Sequence, residues 1–148
     1  MDYQNPAEVT SPKDKVSKVF PILDMGEGKY SVAFLDWDEK PAVGMRWNGG
    51  KSEDGTKHPG TPQSRGIPTW WIVPDLFELP ILIAVMQIGP QGPGIDVQEA
   101  RTRLNQGIQT RQASISNDTS VQSDTQLNDS VEKAIMRIVV QMKRNGQI

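Results

Sequence analysis

The chain has 148 residues, 16 Lys and Arg against 18 Asp and Glu, a formal charge of −2, and 36% apolar residues. That length supports one domain with an appendage, and the nearly balanced charge gives no global pull toward nucleic acid or anionic lipid. The lack of cysteine excludes disulfides, thiol nucleophiles and thiolate metal sites, and the single histidine excludes a multi-histidine metal centre within one chain.

The opening residues, MDYQNPAEVTSPKDK, lack the basic start and apolar core of a secretory signal. Residues 1 to 13 read as a flexible leader, with Pro6, Pro12 and small polar side chains. Val16, Phe20 and Ile22 follow at even spacing, which suits a half-buried strand that Pro21 confines to its end or to an edge. Asp24 to Gly28 is a turn with two glycines.

Tyr30 to Trp37 has the aromatic and β-branched composition of a strand. Tyr30, Val32 and Phe34 fall on one face and Ala33, Leu35 and Trp37 on the other, so the strand is expected to be covered on both sides. After Asp38-Glu39-Lys40 a second arm starts at Pro41. It puts Val43, Met45 and Trp47 on one face and Ala42, Gly44 and Arg46 on the other. From Asn48 to Ser64 no period survives, and a long polar loop is predicted, of the kind that often carries function. Ile67 to Val73 returns to strand composition. Its adjacent tryptophans, Trp70 and Trp71, must face opposite ways, one toward the core and the other toward the surface or another covering element.

Asp75 to Glu78 has capping-box spacing for a helix after Pro74. Pro80 conflicts with that start, so the helix either begins later or kinks there. Leu76, Leu79, Leu82, Ile83 and Met86 would form its buried face. The run Gly89-Pro90-Gln91-Gly92-Pro93-Gly94 marks a domain boundary. Asp96 to Glu99 opens a second, thinner helix, and residues 112 to 128 are polar and low in complexity. Val131, Ile135, Ile138 and Met142 make an apolar stripe on a final helix, suited to an oligomer or partner interface. The expected organisation is a leader over 1–13, an α+β domain over 14–88, and a flexible, partly helical C-terminal extension over 89–148. The domain is a four-stranded antiparallel sheet packed by one helix.

No catalytic signature stands out. Asp36, Asp38 and Glu39 cluster at a hairpin turn, where carboxylates are ordinarily just solvated. His58 sits in a Gly/Pro loop with no positioned partner, and Gly26 to Lys29 lacks the spacing of a phosphate loop. No cofactor or metal is implied, and the protein reads as a non-enzyme. The longest apolar run, Leu79 to Met86, is too short to cross a bilayer, so a cytoplasmic protein without a membrane partner is expected.

The residues that point to a ligand are aromatic and basic: Tyr30, Trp37, Trp47, Trp70 and Trp71 among Lys29, Arg46, Lys51, Lys57 and Arg65. Exposed rings on a sheet stack on unpaired bases while cations meet phosphates. The competing reading, that the same rings are the core of a small domain, carries more weight for the set because aromatics dominate small cores. Between Asp14 and Ile88 eight Lys and Arg face ten Asp and Glu, and only Arg46 to Arg65 is locally positive.

The layout of Leu35-Asp36-Trp37, Asp38 to Pro41, Arg46-Trp47, Gly66-Ile67 and Asp75 to Leu79 resembles the transcriptional-coactivator/Whirly-like single-stranded-DNA-binding superfamily. The resemblance spans Val16 to Met86. It implies a homodimer whose helices pack together and whose sheets grip an unpaired strand, with Arg46, Trp47, Lys51 and Arg65 facing nucleic acid and Lys29 and Trp37 behind them. The leading expectation is a small module that binds single-stranded nucleic acid. The alternative is a protein-interaction or inhibitor module, such as an accessory protein of a mobile element, with exposed tryptophans as anchors.

Overall fold

A computed structural model describes residues 3–119. Two compact units divide the chain, Met1–Gln112 and Ala113–Ile148. The stripe Val131, Ile135, Ile138 and Met142 lies outside the described residues.

The first unit is α+β, built on an antiparallel sheet. Its strands are β1 (Val16–Asp24), β2 (Tyr30–Trp37), β3 (Lys40–Lys51), β4 (Lys57–Thr61) and β7 (Trp71–Ile72), with β5 (Gln63–Ser64) and β6 (Ile67–Pro68) forming a separate short hairpin. Strand β2 pairs with β3 from Tyr30↔Trp47 to Trp37↔Lys40, as alternation across the Asp38-Glu39 turn requires. The other edge of β3 is shared: β7 takes Gly44 and Met45, and β4 takes Trp47 to Lys51. Two helices follow, α1 (Asp75–Ile88) and α2 (Val97–Thr119).

Two apolar layers sandwich the sheet. On one side Val32, Val43 and Val73 meet Leu82 and Val85 of α1 and Ala100 and Leu104 of α2. On the other side Ala33, Leu35, Ala42 and Trp70 pack with Val16 and Val9. Strand β2 is thus covered on both faces, in keeping with its apolar content throughout.

Three expectations change. Residues 5–9 belong to the domain, because Pro6 and Val9 are buried and the Trp70 indole Nε1 donates to Val9 O at 2.8 Å. The chain does not leave the domain after Ile88, since Ala100 and Leu104 are fully buried in the same layer as Leu82. The segment 48–64 is largely paired: β3 runs on to Lys51 and returns as β4 through a short turn. Its glycines reflect close backbone approach, since a Cβ on Gly49 would lie 1.9 Å from His58 O. Of the two starts open to α1, the structure has the earlier one, at Asp75, with Pro80 inside the helix on its exposed side.

The capping-box reading of Asp75 to Glu78 also gives way, as no side chain caps α1. Glu78 instead points into the sheet. Its Oε1 accepts from Val43 N at 2.9 Å and its Oε2 from Arg111 Nε at 2.5 Å, joining β3, α1 and α2 through one carboxylate. At α2 the Asp96 carboxylate does cap, accepting from the backbone N–H groups of Gln98 and Glu99 at 3.0 Å each.

Candidate functional site

Strand alternation sorts the aromatic and basic residues. Val43, Met45 and Trp47 share the helix side of the sheet, and Ala42, Gly44 and Arg46 share the side covered by Val9 and Trp70. Trp71 pairs with Met45, which places it on the helix side, while Ile72, opposite Gly44, joins the other layer. One of the adjacent tryptophans is therefore core and the other surface: Trp70 is 4% exposed and Trp71 is 62% exposed.

Arg46 is not a surface cation. It is 3% exposed, and its guanidinium lies 6.0 Å from the Trp70 ring. It donates to the backbone carbonyls of Pro59 and Thr69, tying β4 and the segment before Trp70 to β3. Its Nε is buried without a partner, and among the described residues no carboxylate pairs with it. Burial pushes it down to about 10, far enough above neutrality that it stays charged. On β1, the buried Asp24 carboxylate accepts from Gly26 N, Ser31 Oγ and Asn48 Nδ2 on one oxygen and from the Tyr3 hydroxyl on the other. The Tyr3 phenol is pushed up to about 12, first by burial and then by that bond. These satisfied groups join the N-terminal segment to β1, β2 and β3 and play a structural part.

The other candidates separate. Trp37 is half-buried at the far end of β2, under the Lys15 ammonium at 5.7 Å. Lys29 is exposed in the turn before β2, and Arg65 in the turn between β5 and β6. Lys51 and Lys57 are exposed and directly opposite one another, on the same sheet face as Trp47 by the period of two. Trp47 itself is 58% exposed and meets the Tyr30 ring edge-on at 5.8 Å. Of the aromatic and basic residues named from the sequence, Tyr30, Trp47, Lys51, Lys57 and Trp71 therefore share one face of the sheet.

The feature that sequence reasoning did not single out is the outer side of α1. Glu78, Leu82 and Val85 face inward, yet Leu76 is 80% exposed, Phe77 54%, Ile83 38% and Ile88 48%. Pro80 and Ala84 are exposed with them. A signal was available: the run DLFELPILIAVMQI has no polar stripe, and a helix apolar all round is ordinarily covered all round. The aromatic face and this helix face lie on the same side of the sheet.

Among the described residues no group of His, Asp and Glu is placed to hold a metal ion, and no helix is long and apolar enough to cross a membrane. His58 Nδ1 accepts from Gly60 N at 2.9 Å and closes a local turn. Comparison with protein-family models, curated proteins and solved structures finds no match.

Proposed function

We propose that the domain is a non-enzymatic protein-interaction module whose docking surface is the outer side of α1, and that its first partner there is a second copy of the chain. The observation that carries this reading is the exposure of Leu76, Phe77, Ile83 and Ile88 on one helix, with Trp47 and Trp71 on the same side of the sheet. The exposed parts of the four α1 side chains amount to roughly 400 Å², the size of a functional apolar patch on a monomer. A stable interface takes about 800 Å² from each partner, so this helix face supplies about half of one side. The outward positions of α1 carry no charge beyond Asp75 in its first turn, so two copies meet without stranding like charges. Such a face is self-complementary and suits a two-fold dimer.

Light scattering of the intact chain tests this. The wild type is expected to have a dimer mass at micromolar concentration, and the double variant Leu76→Asp, Ile83→Asp a monomer mass with an unchanged circular dichroism spectrum. Aspartate at position 76 lies in the first turn, where the helix dipole favours it. A monomeric wild type would sink the second-copy assignment.

A second reading, binding of single-stranded nucleic acid, is favoured by one observation: Trp47, Lys51 and Lys57 share a sheet face. Titration with an unstructured oligonucleotide separates the two. On this reading tryptophan emission is quenched, the affinity falls linearly in log–log terms as salt rises, and Trp47→Ala abolishes the effect. On the protein-interaction reading emission stays constant at low salt.

A further inference from the structure

A groove of about 280 Å³ lies on a different part of the domain, between α2 and the end of the sheet at the β2–β3 turn. Phe34, Leu35 and Pro41 make its apolar part, and Lys18, Arg103 and Arg111 bring three cations to it. Asp36 is the one carboxylate in its lining.

Each cation is held in place. The Arg103 guanidinium lies 4.0 Å from the Phe20 ring, and its Nε and Nη2 donate to Glu99 Oε1. Arg111 lies 5.8 Å from the Phe34 ring, donating through Nε to Glu78 and through Nη1 to Gly107 O. Glu78 and Glu99 orient the two arginine forks from outside the lining, and Asp36 orients Lys18 from within it. Among the described residues, Arg103 Nη1 and Arg111 Nη2 make no hydrogen bond. Lys18 sits in a bulge of β1, where the register shifts between Ser17 and Phe20. Its φ of +50° is one that residues with side chains rarely adopt, and its ammonium is placed 2.7 Å from Asp36 at the groove. Bulges of this kind re-aim side chains beside binding sites.

We propose that this groove binds a small phosphate monoester, with the phosphate against Lys18, Arg103 and Arg111 and an aromatic or apolar body on Phe34, Leu35 and Pro41. Three cations lining one groove, one from β1 and two from α2, match a tetrahedral group that offers three oxygens, whereas a planar carboxylate offers two. This assignment is independent of the docking surface on α1.

The test is amide chemical-shift titration of the intact chain with phenyl phosphate, and with inorganic phosphate and benzoate as comparison probes. Saturable shifts are expected at Lys18, Phe34, Gly107 and Arg111, with phenyl phosphate at least about tenfold tighter than either comparison probe. Arg103→Gln, at a half-exposed side chain, should weaken phenyl phosphate by a similar factor and leave the remaining spectrum intact. Lys18→Gln should act in the same direction. Shifts that do not saturate, that are equal for all three probes, or that persist unchanged in both variants would overturn the proposal.

Discussion

Glu78→Ala is expected to lower the unfolding free energy by about 3–5 kcal/mol, the usual cost of stranding one partner of a buried ion pair. Glu78 is 7% exposed and serves two donors at once, the Val43 N–H and the Arg111 guanidinium. The first of these is a strand-edge N–H just beyond the point where β7 ends: the Val43 carbonyl takes the Val73 N–H, and the Val43 N–H is taken by the carboxylate. The second is a cation with only 18% of its side chain exposed. Glu78→Gln keeps an acceptor for Val43 and removes only the charge, so it should cost clearly less. Urea denaturation followed by tryptophan fluorescence measures both. A loss below about 1 kcal/mol for the alanine variant would show that this carboxylate does not join the helices to β3.

The second large effect separates neighbouring tryptophans. Trp70→Ala should cost about 3–5 kcal/mol, the range for deleting a buried aromatic side chain. Its ring fills the layer formed by Ala33, Leu35 and Ala42, and it supplies the indole donor that holds Val9. Removing it also leaves the Arg46 guanidinium without the ring it lies beside. Trp71→Ala, one position on, removes a side chain that is 62% exposed in the single chain and, in the monomeric Leu76→Asp, Ile83→Asp background, should change stability by no more than about 0.5 kcal/mol. Equal costs at the two sites would contradict the assignment of faces.

Much of this arrangement was legible in the chain. The β2–β3 hairpin follows from alternation around Asp38-Glu39, and the Trp70-Trp71 pair had to split between two environments. Alternation also put Arg46 on the face opposite Trp47, as observed. What it could not supply was the cover over Arg46, which comes from the Trp70 ring and from the backbone carbonyls of Pro59 and Thr69. Burial of Arg46 is thus a tertiary effect, and reading basic residues as surface ligands fails there. Strand β4 was hidden for a different reason. Its Pro59 and Gly60 are turn formers in sequence, but Gly60 is needed because at φ +88° its position lies against Trp47 O, where a Cβ would come within 2.2 Å. The Asp75–Glu78 spacing misled because the same carboxylate that can cap a helix locally can reach a strand edge, and only packing decides between them. The outer side of α1 was readable from the lack of any polar stripe, although Leu76 and Ile83 looked like core.

Disulfide trapping tests the central claim, that the outer side of α1 receives a second copy, most directly. The chain contains no cysteine, so a single one introduced at the exposed Ala84 reports on that face alone. Under mild oxidation at micromolar protein, Ala84→Cys is expected to form a covalent dimer much faster than Gln109→Cys, an equally exposed position on α2. If the two variants cross-link at the same slow rate, α1 does not pair with itself and its apolar side belongs to a different partner.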